Sequence, residues 1–207
     1  MSADKTIGSG RYNVTQKGTR MKRVIGVDVD GVCADLMPEW LRRYNRDFGD
    51  SLMPHDITEW NITRFVKPAA REKIFDYLHD ADLYDQVEPI AGALEGVQQI
   101  RSDGSRVVFI TSAVTGHAGQ KLLWLRRHGF LSCRNPYPCR DYFEGTDKAL
   151  LNVHALIDDR LSTVKEFWDT NRTAFLFPSP ATRNYRVSWA AWDEIPVLIQ
   201  GIPLPRY

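Results

Sequence analysis

Three short apolar runs, each ending in polar residues, constrain the fold of this chain more than any other feature. They are RVIGVDV (23–29), RVVFITS (106–112) and HALIDDR (154–160), and segments with helical periodicity separate them. Runs of this length and composition are typical of buried strands. Strands that alternate with helices favour parallel pairing, right-handed crossovers and helices on both faces of a sheet. The predicted fold class is therefore α/β with a central parallel sheet.

Polar side chains gather at the predicted ends of these strands. They are Asp28, Asp30, Thr111, Ser112, Asp158 and Asp159. The carboxyl ends of parallel strands meet at one edge of the sheet, where ligands bind in folds of this class. Asp28 and Asp30 are two residues apart and leave a strand on the same side, so their charges repel unless something compensates them. The sequence therefore predicts one site at this edge.

The residue types at this edge indicate the chemistry of the site. Carboxylates crowded together without basic partners suit a hard cation, and Mg²⁺ prefers oxygen ligands. The hydroxyls of Thr111 and Ser112 and the ammonium group of Lys148 suit a phosphate dianion. Acids, a metal and phosphate-binding groups together favour phosphoryl transfer, which depends largely on positioning and charge neutralisation.

Each of these residues also has an ordinary interpretation when it is taken alone. Asp158 or Asp159 is suited to cap the helix that begins at LSTVKEF, Thr111 to a turn, and Lys148 to a solvated helix face. Their joint order along the chain and their common placement at strand ends favour the functional interpretation.

The motifs resemble those of a known superfamily. DVDGVCAD, ITS, the lone Lys148 and LIDDR are similar, in order, to the four motifs of haloacid-dehalogenase (HAD) phosphatases. NRDFG, DITEWN, VEPIAGALEGV and HALIDDR resemble the 5′(3′)-deoxyribonucleotidase branch, from about Arg23 to Asn184. The resemblance implies a Rossmann-like HAD core with a small helical cap inserted after the first strand. It also implies a Mg²⁺-dependent phosphomonoesterase that converts (deoxy)nucleoside monophosphates to nucleoside and phosphate.

The resemblance also implies the two covalent roles. Asp28 would attack phosphorus and become an aspartyl-phosphate, which divides one hard reaction into two easier ones. Asp30 would protonate the leaving oxygen and then deprotonate the attacking water, while its backbone carbonyl would bind the metal.

The remaining motif residues would hold the phosphate and the metal. By the same resemblance, Thr111 and Ser112 would bind the phosphoryl oxygens, and Lys148 would neutralise both the nucleophile and the phosphoryl group. Asp159 would be an inner metal ligand, and Asp158 would act through water.

The resemblance also predicts how the chain is divided. Residues 1–20 are expected to be a polar extension, residues 21–35 and 88–207 the phosphatase core, and residues 36–87 the cap. Within the cap, PAAREKIFDYLHDADLY (68–84) is predicted to be a helix with its apolar residues on one face.

The cap is expected to supply the residues that recognise the nucleobase. Trp60 is the main candidate for stacking on the base, with Phe65, Phe75 and Tyr77 behind it. Leu36 stands where the branch often has an aromatic base contact. Packing within the cap is the alternative for all of these side chains.

Composition limits the partners and the remaining alternatives. A formal charge of +1 and 43% hydrophobic residues favour a small-molecule substrate over a nucleic-acid polymer or a membrane, with a homodimer as a possible assembly. Three cysteines without framework spacing favour a reducing, cytoplasmic location. Two other functions stay open at this point: a phosphatase acting on another small phosphate ester, and a catalytically silent binding protein with the same fold.

Overall fold

The computed structural model describes most of the chain. The described residues are 23–113, 118–132, 139–185, 187 and 190–203. The predicted N-terminal extension, residues 1–20, lies outside them.

A parallel sheet of five strands forms the centre of the protein, in the order β3-β2-β1-β4-β5. The strands are β1 (Val24–Val27), β2 (Arg106–Thr111), β3 (Tyr142–Glu144), β4 (Ala155–Asp158) and β5 (Thr173–Leu176). The runs 23–29, 106–112 and 154–160 contain β1, β2 and β4, which are neighbours in the sheet in the order β2-β1-β4. The predicted α/β class with a central parallel sheet is confirmed.

Four helices cover the two faces of this sheet: α2 (Ala93–Ser102), α3 (Ala118–Arg127), α4 (Leu161–Asp169) and α5 (Ile195–Gln200). The first helix, α1 (Leu36–Phe48), belongs mainly to the segment that follows β1. Alternate strand residues enter two separate hydrophobic clusters. Ile25, Val107 and Phe109 pack with residues of α2, α3 and α5, whereas Val108 and Leu156 pack with residues of α4. This alternation follows from the two-residue period of a strand.

A third hydrophobic cluster lies in the segment that follows β1. It contains Trp40, Leu41, Tyr44, Ile57, Ile62, Val66, Ala70 and Ile74, which come from α1 and from the short 3-10 helices after it. Gly49 ends α1 in the left-handed conformation, with φ of 59°, which glycine adopts without steric cost. Leu36, at the start of α1, packs instead with the main core.

The predicted helix over residues 68–84 is wrong. The structure has only short 3-10 helices there, at Pro68–Ala70, Asp76–His79 and Leu83–Asp85. The indole Nε1 of Trp40 donates a hydrogen bond of 2.7 Å to the Ile74 carbonyl oxygen, and Leu78 N–H bonds to Phe75 O instead. A buried indole therefore occupies a carbonyl that a continuous helix would have used for its own ladder.

None of the helices in the described part of the chain has the length and apolar character needed to span a membrane.

Candidate active site

Three neighbouring strands bring the predicted site residues together at one edge of the sheet. Asp28 follows the last residue of β1, Thr111 ends β2, and Asp158 ends β4. Gly31, with φ of 73°, turns the chain after β1 so closely that an added Cβ would lie 2.2 Å from Asp159 Oδ2. Only glycine fits at this position, because both the backbone conformation and the space exclude a side chain.

Lys148 bridges two of the carboxylates. Its Nζ lies 2.8 Å from Asp28 Oδ2 and 2.7 Å from Asp158 Oδ2, and all three side chains are largely buried. Burial lowers the pKa of Lys148, but the charges of Asp28 and Asp158 outweigh burial and raise that pKa above its usual range. Lys148 is therefore a fixed positive charge at the end of β1.

The expectation that the acids crowd together without basic partners is wrong. Lys148 pairs with Asp28 and Asp158, and Lys121 pairs with Asp30 at 2.6 Å. Lys121 is distant in sequence from Asp30, and Lys148 from Asp28, so the local sequence alone could not show these two pairs, whereas Lys148 and Asp158 are 10 residues apart.

Asp159 is the acid that lacks such compensation. Its Oδ1 is buried and has no hydrogen-bond partner among the described residues. Burial, and next the charge of Asp28, raise the pKa of Asp159 well above its ordinary value. A buried carboxylate without a partner is costly, so the position is one where a cation would stabilise the protein.

The donor set fits a hard divalent cation. One oxygen each from Asp28, Asp158 and Asp159 can be chosen so that all lie within 4.8 Å of one another. Both oxygens of Asp158 are already engaged, one by Lys148 and one by the Arg160 N–H at 2.8 Å. Both oxygens of Asp28 are engaged as well, by the Val29 N–H at 2.7 Å and by Lys148, and can bind a cation only through a second lone pair. Asp159 Oδ1 has no hydrogen-bond partner among the described residues, so it is suited to direct binding.

The balance of charges at this edge also favours a bound divalent cation. Among the described residues, the four carboxylates at this edge are paired with two lysine ammonium groups, Lys121 and Lys148. Burial is the largest cause that raises the pKa of Asp28 to about 6, Lys148 opposes the rise, and the charge of Asp158 adds to it. A bound divalent cation would balance the excess charge and keep Asp28 ionised.

Asp30 is held by two side chains that the sequence motifs did not identify. Tyr84 donates a hydrogen bond of 2.6 Å to Asp30 Oδ1, and Lys121 lies 2.6 Å from Asp30 Oδ2. Lys121 shares the buried face of α3 with Trp124 and Leu125. A lysine at helical spacing with core residues was the one sequence signal for it, since lysine is seldom buried without a partner.

The predicted phosphate-binding hydroxyls lie beside this pair. Thr111 is buried and accepts a hydrogen bond of 3.1 Å from Lys121 Nζ. Ser112 is exposed, and its hydroxyl donates to Gly145 O at 3.3 Å. The structure thus gathers Thr111, Ser112 and Lys148 with the acids, while their roles toward phosphate stay predictions.

The predicted base contacts separate into two groups. Trp60 is 47% exposed. Arg160, which directly follows the Asp158–Asp159 pair in sequence, has its guanidinium carbon 5.7 Å from the centre of the Trp60 ring. Leu36 is buried in the main core, and Phe65 and Tyr77 pack against the third cluster. Phe75 is exposed as well, but its ring lies against Trp40 of the third cluster. Trp60 is therefore the predicted base contact that is both exposed and in contact with Arg160.

The sequence matches a known family over nearly its whole length. Residues 22–202 match the family described as 5′ nucleotidase, deoxy (pyrimidine), cytosolic type C protein (NT5C). The chain belongs to this family. The resemblance to the HAD superfamily and to its deoxyribonucleotidase branch is thereby confirmed.

Several proteins similar to this NT5C-family chain are named 5′(3′)-deoxyribonucleotidases. One from Clostridium acetobutylicum is 29% identical over 186 residues, which cover 87% of this chain and 97% of the relative. The cytosolic type from Homo sapiens is 28% identical over 200 residues, covering 85% and 94%. The matches span almost the full length of both relatives.

Solved structures similar to this chain have the HAD fold. A haloacid dehalogenase-like family hydrolase from Xanthomonas campestris gives a TM-score of 0.54 at 16% identity, covering 88% of this chain and 96% of the other. A HAD family hydrolase from Deinococcus radiodurans, solved with bound phosphate and sodium, gives 0.54 at 15% identity, covering 90% and 99%. At these identities the similarity shows the fold alone.

Proposed function

We propose that this NT5C-family chain is a Mg²⁺-dependent phosphatase that hydrolyses (deoxy)nucleoside monophosphates through an aspartyl-phosphate. The observation that carries the proposal is the arrangement around Asp28: a buried lysine bridges it to Asp158, and Asp159 lies beside them with an Oδ1 that has no hydrogen-bond partner among the described residues. Family membership supports the substrate class, since the similar proteins are named deoxyribonucleotidases.

In the first step, a carboxylate oxygen of Asp28 attacks phosphorus and forms an acyl-phosphate. The bond between phosphorus and the nucleoside oxygen breaks, and that oxygen takes a proton from Asp30. Lys148 has two acceptors among the described residues, Asp28 and Asp158, so one of its three N–H donors is left for a phosphoryl oxygen. Its charge would stabilise the transferring group against the nucleophile.

In the second step, water attacks the phosphorus of the acyl-phosphate. Asp30, now ionised, takes a proton from that water, and the bond between phosphorus and Asp28 breaks to release phosphate. Asp159 and Asp28 would hold Mg²⁺, with Asp158 acting through water and Asp30 through its carbonyl. The cation would neutralise charge on the phosphoryl oxygens and orient the group for attack. Thr111 and Ser112 would position the same oxygens.

A phosphate-release screen tests the function. The purified protein is assayed with purine and pyrimidine nucleoside 5′- and 3′-monophosphates, in ribose and deoxyribose forms, alongside sugar phosphates, with and without Mg²⁺. The expected result is Mg²⁺-dependent release of phosphate, faster from nucleotides than from sugar phosphates. Equal or faster release from sugar phosphates would assign the chain to another small phosphate ester. No release from any ester would indicate a silent binding protein.

We also propose that residues 36–87 act as a cap that selects the substrate. The residues from Trp40 to Ile74 contain a hydrophobic cluster of their own, whereas both ends of the segment, at Leu36 and at residues 83–87, pack with the main core. The Arg160 guanidinium carbon of the core lies 5.7 Å from the centre of the Trp60 ring. The core motifs recognise only the phosphate, so selectivity for a nucleoside has to come from elsewhere. An exposed indole in contact with the residue that follows Asp159 in sequence is suited to stack on a base.

Trp60→Ala is expected to lower kcat/KM for a nucleotide about five- to 150-fold, because stacking of a base on an aromatic ring contributes about 1–3 kcal/mol. p-Nitrophenyl phosphate has no nucleobase, so its turnover is expected to change less than about twofold. Trp168→Ala is the matched control, since Trp168 is a partly exposed tryptophan on α4, in the core. Equal losses on both substrates together with a lower Tm would place Trp60 in the packing of the cap instead.

A further inference from the structure

We propose that Tyr84 and Lys121 together position the Asp30 carboxylate for proton transfer, and that Tyr84 links the cap segment to this acid. The inference rests on the proposed role of Asp30 as the general acid and base. The two residues come from different parts of the chain: Tyr84 from the last short helix of residues 36–87, and Lys121 from α3. Each takes one oxygen of the same carboxylate.

The burial of the two donors distinguishes this arrangement from surface contacts. Tyr84 is 4% exposed and Lys121 is 5% exposed, whereas the side chain of Asp30 keeps 27% of its surface accessible. Two immobilised donors therefore hold a carboxylate that still faces the open site. Each carboxylate oxygen has a second lone pair, so Asp30 can exchange a proton with a substrate oxygen while both contacts persist.

Lys121 is already saturated by protein acceptors. An ammonium group has three N–H donors, and Lys121 directs them to Asp30 Oδ2, to Thr111 Oγ1 and to the backbone oxygen of Ser112. No donor remains for a phosphoryl oxygen. Lys121 is therefore a positioning residue, which fixes the acid relative to the residues predicted to hold the phosphate.

The short segment that contains Tyr84 is held by arginines from two different helices, α3 and α1. Arg127 of α3 donates to the Tyr84 carbonyl oxygen and pairs with Asp85 at 3.1 Å. Arg43 of α1 pairs with Asp82 at 2.7 Å, two residues before Tyr84. The position of the Tyr84 phenol, and with it the hydrogen bond to Asp30, therefore depends on where the end of the cap segment lies. A proton donor has to be held within about 0.5 Å of its working geometry, which two donors from separate elements can ensure.

Tyr84→Phe tests the inference, because it removes one hydroxyl and keeps the ring. Three substrates are compared by kcat/KM with Mg²⁺: a deoxynucleoside 5′-monophosphate, 2-deoxyribose 5-phosphate and p-nitrophenyl phosphate. The first two release an alkoxide that needs a proton, whereas p-nitrophenolate leaves without one. The expected result is a loss of about tenfold on both alkoxide substrates and less than about twofold on p-nitrophenyl phosphate.

Two further variants support the interpretation. Lys121→Met is expected to give a larger loss that is again greatest for the alkoxide substrates. Tyr44→Phe is the control, because the Tyr44 hydroxyl contacts Asp50 and the Lys67 N–H within the third cluster. It is expected to lower Tm without changing the ratio between substrates.

Each other outcome overturns the inference. A loss on the nucleotide alone would make Tyr84 a nucleoside contact. Equal losses of kcat/KM on all three substrates would show that the hydroxyl has a purely structural role. An unchanged kcat/KM on all three would show that the hydroxyl does not contribute to the reaction. A wild-type protein inactive on all three substrates would contradict the proposed function itself. Wild-type activity combined with an unselective Tyr84→Phe would contradict the positioning role alone.

Discussion

Asp28→Asn is expected to lower kcat for nucleoside monophosphates by at least about 1,000-fold, since removing a nucleophile eliminates the covalent route. Asparagine has nearly the same shape as aspartate, and Lys148 keeps Asp158 as a partner. The fold is therefore expected to survive, with a circular dichroism spectrum like that of the wild type. Steady-state phosphate release measures the effect.

Asp141→Asn is the matched control for this change. Asp141 pairs with Arg106 at 2.7 Å, and both side chains are exposed. Exposed ion pairs contribute about 1 kcal/mol or less, so activity is expected to stay within about twofold of the wild type. Substantial activity in folded Asp28→Asn would contradict the covalent mechanism.

Removing the divalent cation is expected to abolish activity to a similar degree. Chelation by EDTA should lower kcat by about 100-fold or more, because a bound cation contributes several kcal/mol of charge stabilisation to transfer reactions. Added Mg²⁺ should restore activity, and Ca²⁺ should restore little, since its larger and looser coordination displaces the nucleophile. Full activity in a preparation shown to be metal-free would contradict the site.

The same site predicts how Mg²⁺ stabilisation depends on pH. In the metal-free folded protein the pKa values of Asp28 and Asp159 are raised above those of the unfolded chain. The folded state therefore binds protons more tightly, and metal-free stability falls as pH rises from about 4 through about 6. Mg²⁺ binds the ionised carboxylates, so its stabilising effect should grow over the same interval.

Thermal denaturation measures this effect. With Mg²⁺ at about 100 times its Kd, the stabilisation is about 2.7 kcal/mol, which raises Tm by about 5–10 °C at pH 7.5 in a chain of this size. The shift is expected to be less than half as large at pH 4.5. Asp159→Asn should remove most of the shift at pH 7.5, whereas Asp141→Asn should keep it. An equal shift at both pH values would contradict the assignment.

The sheet and the gathering of the acids could be predicted because both follow from local pattern and chain order. Buried β-branched runs specify strands wherever they occur, and parallel pairing then places Asp28, Thr111 and Asp158 at one edge. Nothing in this inference required knowledge of which distant side chains meet.

Contacts between distant residues explain what could not be predicted. The helix expected over residues 68–84 is interrupted where Trp40, more than thirty positions earlier, bonds to the Ile74 carbonyl. The partners of Asp30 lie on a later 3-10 helix and on α3, and neither Tyr84 nor Lys121 belongs to a motif. Such pairs depend on the three-dimensional approach of separate elements, which periodicity along the chain does not encode.

Trapping the phosphorylated protein tests the central claim most directly. Wild-type protein is mixed with Mg²⁺ and a nucleoside monophosphate, and both wild-type protein and Asp30→Asn are mixed with Mg²⁺ and p-nitrophenyl phosphate, whose leaving group needs no proton from Asp30. All samples are quenched in acid after less than one turnover and analysed by peptide mass mapping. The account predicts one added phosphoryl group on the peptide that contains Asp28, accumulating further in Asp30→Asn because hydrolysis of the acyl-phosphate is slowed. It predicts none in Asp28→Asn. Release of phosphate by the wild type with no phosphorylated Asp28 in either protein, or with the group on another residue, would contradict it.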